Sequence, residues 1–464
     1  MYFRWAKVVT IIFVFLCLSP SPLLAEETES RSHLVLTLDD AINMALERNQ
    51  SVLLSVEKVK VSESQILTAR GAFFPQISAS GNYTKISYLP NFAIGESYYL
   101  PVFDSTTNQL TQYVVPQSQF SMTSDRKEDT YLTKIGLQWS IFTGGRVWDG
   151  YQLAKIGKET SEEALRRTRT EIVCSVKQAF YDLLLMQAVV KVTEEAIAQV
   201  EAHVKTVKRL YENGMVSKFD LLRAEVQLTN MQPQLIRAKN GLELAKTGLN
   251  TILNIDLSTE IEVKGEMIYQ PQKIDLEQLT GEALANRPEL KEIVLRKEMG
   301  KRAVRIARAG YLPTVALFSD YQWKKGQDMP PKNREWLGGW DAGLAVNVPI
   351  FDGFINYGKV KEAKSNLRQI ELGEEQLTAG IKMEVKSVVL NLVSAEQTIS
   401  SQEKNVEQAK EALRIAQARY ENGQATNLDV LDAQVALTQA ETNYVQALHD
   451  YLIAQAKLEK AIGK

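Results

Sequence analysis

Tyr211-Glu212-Asn213-Gly214-Met215-Val216-Ser217-Lys218-Phe219-Asp220 and Tyr420-Glu421-Asn422-Gly423-Gln424-Ala425-Thr426-Asn427-Leu428-Asp429 are two versions of one turn. In each, Asn-Gly supplies a left-handed residue that closes a helix. Ser217 or Thr426, followed three residues later by Asp220 or Asp429, forms a capping box that starts the next helix. Each turn therefore folds the chain back on itself. The shift between the copies is 209 residues, from Gly214 to Gly423. Phe142-Thr143-Gly144-Gly145 answers Phe351-Asp352-Gly353-Phe354 at the same shift, and Asp220-Leu221-Leu222-Arg223-Ala224 answers Asp429-Val430-Leu431-Asp432-Ala433.

Upstream the shift becomes 238, from Pro75 to Pro313, where Ala69-Arg70-Gly71-Ala72-Phe73-Phe74-Pro75 matches Ala307-Arg308-Ala309-Gly310-Tyr311-Leu312-Pro313. The first half thus carries 29 more residues between Pro75 and Phe142, the difference between the two shifts. This is a duplication with a long insertion on one side, not a short-repeat solenoid. The expected organisation is a leader over 1–25, a first repeat over 26–255, a linker over 256–275 and a second repeat over 276–464. The β-hairpins are expected at 76–141 and 314–350, and the long helical hairpins at 143–255 and 353–462.

Each half reads as helix, two strands, then two long helices. Thr37-Leu38-Asp39-Asp40 has the form of a capping box, and the helical pattern runs on through Ala69. Pro75 ends that run, because proline lacks an amide and disfavours a helical residue before it. The next segments alternate. Ile77, Ala79, Gly81 and Tyr83 share one face, as do Tyr131, Thr133, Ile135, Leu137, Trp139 and Ile141. In the second half Val315, Leu317, Ser319, Tyr321 and Trp323 do so, and Trp340, Ala342, Leu344, Val346 and Val348. Strands of about ten residues with this alternation cross an outer membrane, although a half-buried soluble hairpin shows the same pattern. Four strands cannot close a barrel, and lipid does not tolerate open edges. If these strands span, several copies must share one barrel. Tyr88 to Lys127, rich in Pro, Asn, Ser and Thr, is the long connection of the first hairpin, and Lys324 to Glu335 is its short counterpart.

The helices from Val147 to Glu212 and from Ile355 to Glu421 contain no proline, and each would extend about 100 Å if straight. Pro233 interrupts the helix from Lys218 to Leu253 and is expected to kink it, whereas Thr442 holds the matching place between Asn427 and Ile462.

Arg4 and Lys7 precede the apolar run Val8–Leu18, and Leu23-Leu24-Ala25 offers a small-residue cut before Glu26. That order is a secretory signal peptide, with cleavage expected after Ala25. Leu16 before Cys17 disfavours a lipoprotein site, and the mature chain keeps Cys174 alone. No later stretch reaches the roughly 18 consecutive apolar residues of a membrane helix. A net charge of −2 and the lack of any basic tract argue against nucleic acid. The three histidines, His33, His203 and His449, are isolated. Neither metal spacing, nucleophile elbow nor phosphate loop occurs, so no cofactor, metal or enzymatic activity is expected.

Taken together, Leu36-Thr37-Leu38-Asp39-Asp40-Ala41, the Phe-Phe-Pro and Tyr-Leu-Pro helix ends, the Ile141-Phe142-Thr143-Gly144-Gly145 and Ile350-Phe351-Asp352-Gly353 strand exits and the two Tyr-Glu-Asn-Gly turns resemble the TolC-like outer-membrane efflux protein family. The resemblance covers essentially the whole mature chain. It implies a mainly α fold with a transmembrane β portion. Long antiparallel coiled-coil helices would build a periplasmic α-barrel, and four strands per protomer would join a shared twelve-stranded barrel. It also implies a homotrimer in the outer membrane of a Gram-negative bacterium, extending into the periplasm. Its partners would be a periplasmic adaptor protein, an inner-membrane transporter and outer-membrane lipid.

By position, the adaptor-facing tips would be Gly214, Met215, Val216 and Ser217, with Gly423, Gln424, Ala425 and Thr426. Family members often narrow the tunnel near the tips with acidic rings. Here Glu411, Arg414 and Gln417 stand before Tyr420 at the spacing of one helical face, with no matching pair of aspartates. They are candidate tunnel-lining residues and equally a solvated helix face. The competing reading is a soluble periplasmic coiled-coil adaptor or scaffold, for which long helical hairpins would also serve.

Overall fold

The structure, a computed structural model, describes residues 34–86, 100–114, 128–271, 274–326 and 335–464. The leader with its expected cut, Cys17 and His33 lie outside the described residues. So do 87–99, 115–127 and 327–334 of the two hairpin connections, and 272–273 of the expected linker. β1 (Leu34–Leu36) leads into α1 (Leu38–Arg48) and α2 (Gln50–Gly71). Then come β2 (Gln76–Ile86), a short ribbon of β3 (Leu100–Phe103) and β4 (Leu110–Val114), and β5 (Glu128–Phe142). α3 (Arg146–Glu212) and α4 (Lys218–Leu253) complete the first half. The second half contains β6 (Ile261–Val263), α5 (Leu276–Asn286), α6 (Pro288–Arg308), β7 (Thr314–Lys325), β8 (Leu337–Asn347), α7 (Ile355–Glu421) and α8 (Asn427–Ala461).

The helical run expected from Thr37 through Ala69 is in fact two helices. Asn49 is extended, with φ −62° and ψ 129°, and its amide closes the first of them on Ala45. Its side-chain amide donates to the Ile252 carbonyl at 2.8 Å, a long-range bond that a local pattern cannot reveal. At Pro233 the chain stays helical on both sides.

Two compact units divide the chain, and each draws on both halves. One comprises residues up to 50, 171–274 and 388–460. In its core, Leu36, Ala41 and Ala45 pack with Val176, Phe180, Leu183, Leu184, Leu249 and Leu253. β1 and β6, which the sequence did not suggest, pair in parallel there through Leu34 with Ile261 and Leu36 with Val263. α3 includes one window apolar enough to cross a membrane by composition; Val176, Phe180, Leu183 and Leu184 of that helix supply packing surface to this core. Cys174 is buried, and burial pushes its thiol up from the usual range. A second cluster joins Val207, Ala224, Leu413, Tyr420, Val430 and Leu437 beside the two turns.

The other unit comprises 51–170, 275–387 and 461–464 and holds the main sheet. Its order is β2-β5-β7-β8, with every neighbour antiparallel, so β5 and β7 stitch the two halves together. Polar links tie its helices: Ser62 to Ser161 at 2.7 Å, Lys297 to Glu374 at 2.6 Å and Arg302 to Asp149 at 2.9 Å. Pairing slips between Ser140 and Phe142, so that Phe142 opposes Val315 and Ile141 is the extra residue of a bulge. Ile141, expected in the regular apolar series, therefore leaves it, and Phe142 takes the next place.

Both strand exits need left-handed residues. Gly144 and Gly145 have φ of +64° and +88°, and a Cβ on Gly144 would meet Leu312 at 2.9 Å. The second exit repeats the conformation with Gly353 at +65° and Phe354 at +67°. An aromatic residue there carries backbone strain of about 1–2 kcal/mol. Phe354 is 72% exposed, so little packing offsets this. Phe354→Gly is expected to raise stability in detergent by about 0.5–1 kcal/mol. Thermal unfolding beside Phe354→Ala, which keeps the strain, checks this; equal effects from both variants would show that the ring and not the backbone matters.

Candidate functional site

The two turns close as their residues dictate. Gly214 has φ +71°, its amide reaches the Tyr211 carbonyl at 2.9 Å, and Met215 reaches Leu210 at 2.9 Å. Gly423, with φ +69°, repeats this through Tyr420 at 3.0 Å and Gln424 to Arg419 at 2.8 Å. Both are Schellman closures that satisfy the last carbonyls of the helix. Ser217 and Asp220 then exchange bonds, the Asp220 amide donating to the hydroxyl at 3.2 Å while the Ser217 amide donates to the carboxylate at 3.3 Å. Thr426 and Asp429 do the same at 3.3 and 2.7 Å. The Thr426 hydroxyl and amide hold the Asp429 carboxyl below the ordinary range.

The eight tip positions are not equivalent. Gly214, Met215, Ser217, Gly423, Gln424 and Thr426 are exposed. Val216 and Ala425 are half-buried and pack against the cluster that holds Tyr420 and Val430. Two of the candidates thus anchor the turns, while the others present a surface.

A buried polar clasp joins the two helical hairpins behind the turns. His203 of α3 lies 2.7 Å through Nε2 from the Asn427 Oδ1 of α8, and Asn427 Nδ2 donates to the Asp220 carbonyl of α4 at 2.9 Å. Because the amide nitrogen is committed to Asp220, the oxygen must accept, which places a hydrogen on Nε2. The Tyr420 ring of α7 sits 5.3 Å from the imidazole. Burial holds His203 below its ordinary pKa, against the bond it donates to Asn427, which favours its charge. His449 lies in a different setting, 2.7 Å from Asp182 and 3.1 Å from Asp450. Burial works against its charge, but these carboxylates hold its pKa above the ordinary value. Both histidines look isolated in sequence because Asn427 and Asp182, their partners on other helices, lie more than two hundred residues away.

Glu411 and Arg414 meet in a two-pronged pair at 2.8 and 2.7 Å, exposed on α7. The hydrogen bond from Arg414 lowers the Glu411 carboxyl. Gln417 is half-buried, away from that pair's full exposure. Two further carboxylates lie after the turn: Asp429 and Asp432 are exposed, three residues apart on α8. A search confined to the residues before Tyr420 passes over them.

The sheet presents the second surface. Its register brings Ile77, Leu137, Ser319 and Ala342 into one row, then Ala79, Ile135, Tyr321 and Trp340 into the next. The apolar series of all four strands therefore share one face. Ile77 and Trp340 are 73% exposed and Leu344 64%, so nothing among the described residues covers that face at these positions. Rings gather at both ends of it. Tyr83, Tyr131 and Trp336 neighbour one another at one end, with Tyr131 5.1 Å from Tyr83 and 6.2 Å from Trp336. Trp139 bonds the Phe73 carbonyl at 2.8 Å at the other, where Phe73 meets Trp148 and Tyr151. Among the described residues, no three His, Cys, Asp or Glu side chains gather as metal ligands.

The sequence profile of the family described as "Outer membrane efflux protein" matches residues 41–254 and 279–464. The toluene efflux pump outer membrane protein TtgC of Pseudomonas putida is 22% identical over 443 residues, covering 92% of this chain and 82% of that protein. The alkaline protease secretion protein AprF of Pseudomonas aeruginosa is 22% identical over 343 residues, covering 73% of this chain and 71% of that one. The crystal structure of the outer membrane protein VceC from Vibrio cholerae aligns with a TM-score of 0.72 at 19% identity, covering 92% of this chain and 96% of that chain.

The clasp is expected to make the tips sensitive to acid. A histidine whose folded pKa lies below its unfolded value gives full support above the unfolded value and loses it as pH falls toward the folded one. His449, shifted the other way, gives full support below its unfolded value and loses it as pH rises through the folded one. Amide exchange at the two turns, corrected for intrinsic rates, is expected to quicken from about pH 7.5 to about pH 5.5. In His203→Leu that acid response should vanish; its persistence would assign the effect to another group.

Proposed function

The chain belongs to the outer membrane efflux protein family, and on that premise we propose that three copies share one twelve-stranded barrel in the outer membrane and one helical tunnel in the periplasm. It is an outer-membrane channel protein of the TolC-like class, with a periplasmic extension, and that class is not catalytic. Substrate delivered by an inner-membrane transporter and a periplasmic adaptor passes through it without chemistry. The two repeats, 26–255 and 276–464 joined through 256–275, each contribute two of the four strands and one helical hairpin.

The observation that carries this reading is the single apolar face of the sheet, with both edge strands unpaired among the described residues. Alternation along the order β2-β5-β7-β8 leaves β2 and β8 running in opposite directions. A β8 edge of one copy can therefore meet the β2 edge of the next in antiparallel fashion. Repeating the junction closes the sheet and removes every edge, as lipid requires. From Tyr131 to Ile141 the strand covers about 34 Å, or about 25 Å of height at a tilt near 40°, which matches the apolar band of outer-membrane barrels.

The exposed parts of the tips, Gly214, Met215 and Ser217 with Gly423, Gln424 and Thr426, form the surface offered to the adaptor. Val216 and Ala425 hold it in shape from beneath. Glu411, Arg414 and Gln417 line the tunnel near the tips, where the paired Glu411 and Arg414 cancel each other's charge. One relative is named for toluene efflux and another for protease secretion, and we assign the choice among cargo of such different kinds to the transporter.

Ile135→Lys, midway along β5 between Tyr131 and Trp139 on the apolar face, tests the membrane assignment. On a lipid-facing strand this charge should cost about 2–4 kcal/mol near the midplane and deplete heat-modifiable trimers from the outer-membrane fraction. A soluble adaptor or scaffold would tolerate it, and recovery of abundant monomer from the periplasm would overturn the channel.

Gly214→Val combined with Gly423→Val tests the tips. No atom lies within 4 Å of a Cβ built at either position, so the substitutions strain the backbone without a clash. Each should cost about 1 kcal/mol or more and lower resistance to the transporter's substrates in a strain expressing normal trimer levels. Unchanged resistance in that strain would remove the tips from adaptor contact.

A further inference from the structure

The polar face of the sheet carries an uneven rung of charge. Ser78, Gly136, Asp320 and Asp341 stand side by side across β2, β5, β7 and β8. Two aspartates directly opposite each other repel, and cross-strand pairs of like sign are unfavourable. The structure separates them. Asp320 leans the other way, over β5, where its Oδ2 meets Lys134 Nζ at 2.7 Å. Glycine on β5 makes the lean possible, since a Cβ on Gly136 would stand 2.5 Å from Asp320 Oδ1. Asp341 is left exposed, with no bonded partner among the described residues. One cation and two anions leave this level with one unbalanced negative charge per copy.

Of the other charged side chains on this face that the structure describes, Lys324 lies four residues along β7 from Asp320. That is about 13 Å of strand, beyond a Debye length of about 8–10 Å in ordinary saline. It does not neutralise the rung.

We propose that Lys134, Asp320 and Asp341 set the ion preference of the conduit at the level of the sheet, favouring cations over anions. The inference rests on the shared-barrel reading, in which the polar face lines the lumen. Three copies would then place Asp341 around one circumference, and a ring of like charges in a water-filled pore raises the local concentration of counter-ions. Lys134 is a counterweight: by pairing with Asp320 it halves the charge that the ring would otherwise carry. No ion need bind tightly; the field acts on every ion that passes.

The test is the reversal potential of purified trimers in planar bilayers under a salt gradient, near 0.1 M ionic strength. Wild-type protein should prefer cations, and Asp341→Asn should reduce the cation-to-anion permeability ratio roughly twofold or more. Lys134→Gln should move the ratio upward, and Lys324→Gln should leave it nearly unchanged. Heat-modifiable migration verifies that each variant is assembled, and the opposite signs expected for Asp341→Asn and Lys134→Gln separate a field effect from general damage. Identical reversal potentials for wild type, Asp341→Asn and Lys134→Gln would overturn this inference while leaving the channel intact. Failure of the wild type to form heat-modifiable trimers would overturn the reading beneath it.

Discussion

A strand left open along its edge displays a row of unpaired amides and carbonyls, and in hydrocarbon each of these groups costs several kcal/mol. β2 and β8 are such edges, each eleven residues long and flanking a sheet whose other ladders are complete. Water can satisfy them; lipid cannot. The outward face of the same sheet carries Ile77, Trp340, Leu344 and Val346, for which water is the poor solvent. A chain that wants lipid on its face and cannot have lipid on its edges needs further copies of itself. In the proposed shared barrel, association of copies would therefore follow from the strand count before any side-chain contact.

The helical part handles the same obligation locally. At each turn, the last carbonyls of one helix and the first amides of the next are satisfied within a few residues, through glycine closures and hydroxyl–carboxylate boxes. The polar groups of the turns are satisfied within the turns themselves, which leaves the side chains of Met215 and Gln424 exposed and uncommitted. Behind them, the His203–Asn427–Asp220 clasp makes the two hairpins mutually dependent. Local closure gives each tip its shape, and the clasp correlates one tip with the other.

What could be read in advance divides along the same line between local and distant. Capping boxes, Asn-Gly closures and strand alternation are written within a few residues, so the long helices and the four main strands were legible nearly to their ends. The break at Asn49 was not, because its reason is a bond to Ile252 two hundred residues away. β1 and β6 are three residues each and exist only through their pairing, so no periodicity announces them. The bulge at Ile141 was hidden because an alternating series cannot show where one residue has been skipped. At the tips, the positions of the turns were plain from the duplication, but the inward role of Val216 and Ala425 depends on a cluster assembled from four helices. The rung formed by Lys134, Asp320 and Asp341 needed the register of three strands before the charges could be added together.

Duplication has left two turns with one backbone and different chemistry. Gly214 and Gly423 share a conformation to within a few degrees, yet a thioether follows the first and an amide follows the second. In the proposed ring of three copies, the main chain would have sixfold regularity and the side chains only threefold. Any partner that embraces the whole rim would meet greasy and polar footholds in alternation. A cap built from six identical subunits would have to accept two kinds of seat, whereas one built from three could be matched to every seat it touches.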